Sequence, residues 1–190
     1  MSLTPTIMAV FLFALFMGCF AHGDGNAYLR NACRVTQYRE LCFNTFYTLP
    51  SAAKQNASAL ARSAISVTLA ETKNVSQYIL GLRELRLRGR EKAALDDCVE
   101  CFNDALDNLH KSLFEIRSLE SSTFDFQVSN MQTWVSAVLT SQDTCLDGFN
   151  GTHGTVVERL NSTIGNVARI TSNALALINT LAETGGRGLR

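Results

Sequence analysis

The segment REKAALDDCVECFNDALDNLHKSLFEIRS, residues 90–118, decides the fold. Within it Leu95, Cys98, Phe102, Ala105, Leu109, Leu113 and Ile116 recur at steps of three and four, the spacing that lines side chains up on one face of an α-helix. On a wheel of about 100° per residue, Asp97, Glu100, Asp104 and Asp107 gather on the opposite side. The segment predicts a long amphipathic helix with an apolar face to bury and an acidic stripe facing solvent. Such a helix needs partners, and the flanking sequence supplies three.

Upstream, a helix from Ser51, read as its N-cap, to about Arg88 places Ala53, Ala57, Leu60, Ala64, Val67, Val75, Tyr78, Leu82 and Leu85 on one stripe before Gly89 interrupts. Glu71 falls on the same stripe, which implies a paired carboxylate, a bundle end or a face that rotates there. Downstream, a helix starting near Phe126 and persisting through Thr144 puts Met131, Trp134, Val138 and Cys145 on one side, with Gly148 as its stop. Trp134 reads as a core residue. A last helix, from about Thr155 to Glu183, carries Val157, Leu160, Ile164, Val167, Thr171, Ala174, Leu175, Ile178 and Leu181 on its apolar face. The chain's two prolines, Pro5 and Pro50, both precede these runs, so nothing breaks them. Residues 26–49 read as a short helical hairpin that Pro50 ends. The expected fold is all-α: an up-down four-helix bundle over 51–183 behind that hairpin, forming one domain over 22–190.

Cysteines and sequons place the chain outside the cell. Residues 1–21, MSLTPTIMAVFLFALFMGCFA, hold no charge and an apolar core from Ile7 to Phe20 that is too short to cross a bilayer. They read as a cleaved signal peptide, which takes Cys19 with it. The mature chain of about 168 residues suits a single domain and is expected to have no membrane anchor. Cys33 and Cys42 lie nine positions apart inside the hairpin, and Cys98 and Cys145 point to the core from different helices, as a cross-bundle disulfide requires. Two bridges are expected from those four. Cys101, about 60° off the core stripe, is then the free thiol. Its C-x-x-C spacing with Cys98 lacks the strand context of a redox motif. The sequons at Asn56, Asn74, Asn150 and Asn161 fit the same oxidising, glycosylating compartment.

Chemistry is sparse. Seventeen basic residues balance seventeen acidic ones, which gives no basis for a nucleic-acid partner. The basic run Arg83, Arg86, Arg88, Arg90 and Lys92 around Gly89 reads as a solvated turn. The three histidines, His22, His110 and His153, form no metal motif, and no HExxH, GxSxG, P-loop or dinucleotide fingerprint occurs. No catalytic residue, metal or cofactor is expected.

Two strings carry a resemblance. AlaLeuAspAspCys at 94–98, continued by Glu100, Phe102, Asp104, Ala105 and Asp107, is similar to the AL-x-DC-x-E-x-[YF]-x-DA-x-D signature of the plant invertase and pectin methylesterase inhibitor family. ThrTrpValSerAlaValLeuThr at 133–140 and ThrCysLeuAspGlyPhe at 144–149 resemble its second signature. The resemblance implies a hairpin held by the first cysteine pair and a bundle bridged by the second, in agreement with the spacing. It also implies a free-standing inhibitor, secreted to the apoplast and cell wall, that binds pectin methylesterase one to one without covalent chemistry and blocks its substrate cleft. Binding is expected from bundle-helix faces, with Asp97, Glu100, Asp104, Asp107 and Thr133 as the contacts. Invertase inhibition is the alternative on the same scaffold. Invertase inhibitors often carry Pro-Lys-Phe in the connection that precedes the helix read here from Phe126, where this chain reads SLESSTFDFQVS, residues 118–129, without proline.

Overall fold

The computed structural model describes residues 25–187 apart from Arg86. The leader read over residues 1–21 and the Arg86 of the basic run lie outside the described residues. Six α-helices appear among them: α1 Gly25–Ala32, α2 Arg39–Tyr47, α3 Ala57–Leu82, α4 Gly89–Arg117, α5 Phe124–Gly148 and α6 Thr155–Glu183. Two 3-10 turns, Cys33–Val35 and Ser51–Lys54, complete the order. Short connections join α3 to α6 in sequence, so successive helices run antiparallel. In the resulting four-helix bundle α3 packs against α4 and α6, and α5 against α4 and α6.

The α4 stripe is buried as its spacing demands, from Leu95 at 2% exposure to Ile116 at 4%. Each large side chain of that stripe, such as Phe102 or Leu109, contributes about 1.5–3 kcal/mol by leaving water. α5 differs from the expected face. Its buried line is Phe124, Val128, Met131, Val135, Val138, Gln142 and Cys145, alternating steps of four and three. Trp134, one residue or about 100° off that line, is half-buried and outside the core.

α3 also corrects the sequence reading. Its N-cap is Asn56, whose Oδ1 accepts from Ala59 N at 2.8 Å, while Ser51 opens the separate 3-10 turn. The helix ends at Leu82, and Leu85 is 44% exposed. The reason lies in two burial faces. Leu60 and Ala64 pack on the hairpin with Phe46, Ala174 and Leu177, whereas Ala61, Ile65 and Ile79 enter the bundle. Glu71 sits half-exposed where the stripe rotates from one face to the other.

Two apolar clusters fill the bundle. One lies towards the α4–α5 connection and includes Ile65, Leu109, Met131 and Ile178; the other lies towards the opposite end and includes Ile79, Phe102, Cys145 and Ile164. Between them in sequence stand Thr68, Thr72, Gln142 and Thr171, all fully buried. Gln142 Nε2 donates to Thr171 Oγ1 at 3.1 Å, and Thr171 Oγ1 donates to Val167 O at 2.9 Å. Thr68 Oγ1, Thr72 Oγ1 and Gln142 Oε1 have no hydrogen-bond partner. This polar band lies between the two apolar clusters and fixes the axial register of α5 on α6, because a slide by one turn would part the Gln142 amide from Thr171 and bury it against hydrocarbon.

The hairpin is tied down by polar groups. Asn173 of α6 donates from Nδ2 to Tyr38 O at 3.0 Å and accepts from Tyr38 N at 3.2 Å. Lys54, 3% exposed, donates from Nζ to Asn26 Oδ1 at 2.8 Å and to Tyr47 O at 2.7 Å. A buried ammonium is costly unless its donors are used, so this lysine fixes the turn against both hairpin helices.

Candidate functional site

The two disulfides are Cys33–Cys42 and Cys98–Cys145, and Cys101 is free. The second bridge joins the start of α4 to the end of α5. Next to it Gly148 meets Ala94 so closely that a Cβ added to the glycine would lie 3.3 Å from Ala94 Cβ. Phe102 and Phe149 pack in the same cluster. The two signature strings therefore meet at one end of the α4–α5 pair, where their small, cysteine and aromatic residues weld the helices together. At the other end the connection 118–123 is closed by one side chain. Gln127 Nε2 donates to Ser118 O at 2.8 Å, while its Oε1 accepts from Glu120 N at 2.8 Å and from Thr123 Oγ1 at 3.2 Å.

On this braced pair the acidic stripe faces outward. Asp97, Glu100, Asp104 and Asp107 are all exposed, and among the described residues none forms an ion pair. Asp96, beside them, is different. It bonds Lys92 Nζ and, at 2.9 Å, Arg83 Nη2, and the Lys92 hydrogen bond leads the effects that hold its carboxyl below the usual carboxylate range. Asp96 thus anchors the α3–α4 connection, while the other four carboxylates stand without an ion-pair partner among the described residues.

A groove of about 360 Å³ runs between α4 and α5, bordered by Asp104, Asp107, Lys111, Ala137, Thr140 and Ser141. The structure brings Asp104 and Asp107 together with the hydroxyls of Thr140 and Ser141. Thr133 lies one turn further along the same exposed α5 face and donates from Oγ1 to Ser129 O at 2.9 Å, a local bond that leaves its oxygen free to accept. Asp97 and Glu100 lie at the opposite end of the stripe. Sequence reasoning missed Ala137, Thr140 and Ser141, although the steps 133, 137, 140 and 144 of the TWVSAVLTSQDT string mark one helical face.

Cys101 borders this face. It is half-buried, and its thiol is pushed up in pKa by burial first, then by Asp104 and Asp97. That environment keeps it a protonated thiol. Among the described residues no group of His, Cys, Asp and Glu is arranged to hold a metal ion, and no helix is long and apolar enough to cross a membrane.

Residues 27–177 match the family described as Plant invertase/pectin methylesterase inhibitor. The chain is 41% identical over 162 residues to Pectinesterase inhibitor 6 of Arabidopsis thaliana, covering 84% of this chain and 78% of that one. It is 31% identical to the 21 kDa protein of Daucus carota, covering 96% and 97%. Its fold is similar to the crystal structure of a mutant form of a pectin methylesterase inhibitor from Arabidopsis, with a TM-score of 0.66 at 21% identity over 80% of this chain and 95% of that one. The chain belongs to the plant invertase/pectin methylesterase inhibitor family.

Proposed function

We propose that this protein is a secreted inhibitor of plant cell-wall pectin methylesterase, not itself an enzyme, and that it docks non-covalently, one to one, through the outer face of α4 and α5 over the substrate cleft of its target. The observation that carries the choice of face is the row of four unpaired carboxylates on a helix pair braced at both ends. A rigid, charged surface suits steered association with a partner of opposite charge. The sequons support the same face from the other side. Asn74 on α3 and Asn161 on α6 are exposed, and Asn56 caps α3, so glycans at these positions crowd the α3/α6 layer and leave the α4/α5 layer open. Asn150, also exposed, stands in the α5–α6 connection at the bundle end. Curated relatives named pectinesterase inhibitors favour the esterase over invertase as target, as does the proline-free connection before α5.

The test is titration of the oxidised mature protein into separate pectin methylesterase and acid invertase assays at mildly acidic pH. Saturable loss of methylesterase activity with invertase untouched is the expected result; the reverse would move the protein to invertase. A Glu100→Lys/Asp104→Lys variant is expected to inhibit at least about tenfold more weakly at low salt, with the difference shrinking as salt rises. Unchanged inhibition by that variant would remove the stripe from the interface.

A further inference from the structure

The N-terminal hairpin carries a second charged surface that the esterase reading does not use. Between α1 and the start of α2 lies an open groove of about 430 Å³ lined by Arg30, Cys33, Arg34, Arg39, Glu40 and Phe43. Three guanidinium groups against one carboxylate make it a local positive centre on a chain whose formal charge is zero. All three arginines are exposed, and among the described residues none is in an ion pair.

The groove is also held in shape. The Cys33–Cys42 bridge ties α2 to the turn after α1, whose Cys33 lines the groove, and the Arg30 guanidinium lies 4.4 Å from the centroid of the Phe43 ring, which orients its fork and leaves the edge donors free. The Phe43 and Tyr47 rings stand 5.3 Å apart, and Lys54 Nζ lies 5.6 Å from the Tyr47 ring centroid. Lys54 is buried with its donors used on Asn26 and Tyr47, so it braces the Tyr47 ring from the protein side and leaves that ring 51% exposed beside the groove. A phosphate or sulfate ion needs only the arginines. Three guanidinium forks, one carboxylate acceptor and the exposed Tyr47 ring on the same hairpin match a chain of pyranose rings, each with an apolar face, hydroxyl donors and a carboxylate.

We propose that this groove binds a linear, carboxylate-bearing oligosaccharide, a run of de-esterified uronic acid units. That this polymer is the product of the target enzyme rests on the function proposed above; the recognition chemistry does not. The hairpin packs on α3 and α6, whereas the acidic stripe lies on α4, so both sites can be filled at once. Occupancy would tether the inhibitor to the wall regions where esters have already been removed.

Binding is measured without any enzyme, by calorimetric titration of the full mature chain with oligogalacturonate about ten units long, its fully methyl-esterified counterpart and inorganic sulfate. Saturable binding of the acidic oligomer alone is expected, weakened about tenfold or more in an Arg30→Gln/Arg34→Gln/Arg39→Gln variant that loses three exposed charge contacts. Inhibition of methylesterase by that variant should be unchanged, and its circular dichroism should match the parent. An Arg88→Gln/Arg90→Gln variant at the far end of the bundle should bind as the parent does. Equal binding of the esterified oligomer, sulfate binding as tightly as the oligomer, or full binding by the triple variant would each overturn the proposal. A parent protein that binds the oligomer but inhibits no esterase would leave the groove standing and refute the function.

Discussion

Removing the Cys98–Cys145 bridge tests how the α4–α5 pair is held. The two cysteines are 47 residues apart in sequence, against 9 for Cys33 and Cys42. Closing the longer loop removes about 13.6 cal/mol/K from the unfolded chain, or about 4 kcal/mol at 25 °C; the shorter one removes about 2.6 kcal/mol. Both bridged cysteines of the bundle are buried, so alanine at both sites adds a small packing loss of the same sign. Replacing the pair together is essential, because a lone Cys98 thiol would sit three residues from Cys101. With a total stability of about 5–15 kcal/mol for a domain and a urea slope of about 2 kcal/mol/M, Cys98→Ala/Cys145→Ala should lower the urea midpoint by about 2 M. Cys33→Ala/Cys42→Ala should lower it by about 1.3 M. Far-ultraviolet circular dichroism across a urea series reads both. A shift below about 0.5 M for the bundle pair, or a larger shift for the hairpin pair, would refute loop closure as the source of this stability.

Three further outcomes follow from named groups. Thr68→Val, which removes a buried hydroxyl without a partner, should stabilise by about 1 kcal/mol and raise Tm by about 2–4 °C in a calorimetric scan; a lower Tm would mean that the hydroxyl is satisfied. Asn56→Ala should cost about 1 kcal/mol through the lost cap, whereas Asn56→Asp, which also destroys the sequon, should hold the non-glycosylated protein at parental stability in the same denaturation assay. Because burial, Asp104 and Asp97 raise the Cys101 pKa, the folded state releases that proton later than the unfolded one. Stability is therefore full below the unfolded thiol pKa and falls as pH rises through the folded one. Iodoacetamide labelling of Cys101 at pH 8 should be slower than that of a free model thiol and should speed up in an Asp97→Asn/Asp104→Asn variant; equal rates in parent and variant would discount the charges.

The fold was legible where burial has a single direction. On α4 one face meets the core, so the apolar steps of three and four located Leu95, Phe102, Leu109 and Ile116, whereas α6 also turns Ala174 and Leu177 to the hairpin, and Leu177 escaped the reading. α3 was harder because it buries two faces, one of them containing Thr68, Thr72 and Ser76, which erase the apolar signal just where the helix enters the bundle. Trp134 misled by its size, since the strongest hydrophobe of α5 stands one residue off the buried line. Lys54 and Gln127 were invisible to pattern reading, because their roles depend on carbonyls brought near by tertiary packing. The acidic stripe could be read from a helical wheel; the groove beside it required knowing that the Ala137–Ser141 side of α5 lies against Asp104 and Asp107. The arginines of the hairpin escaped notice for a similar reason, as a balanced total charge conceals a local excess.

The Gln127 clamp at one end of α4–α5 and the Cys98–Cys145 link at the other turn two helices into a frame with a strut at each end. Such a frame has little internal freedom to surrender when a partner arrives, so the ordering cost that flexible surfaces meet, about 0.5–1.5 kcal/mol for each immobilised side chain, falls mainly on exposed carboxylates and not on backbone. Encounter should then be governed by diffusion and charge, with the α4 and α5 backbones superimposing closely in free and bound forms.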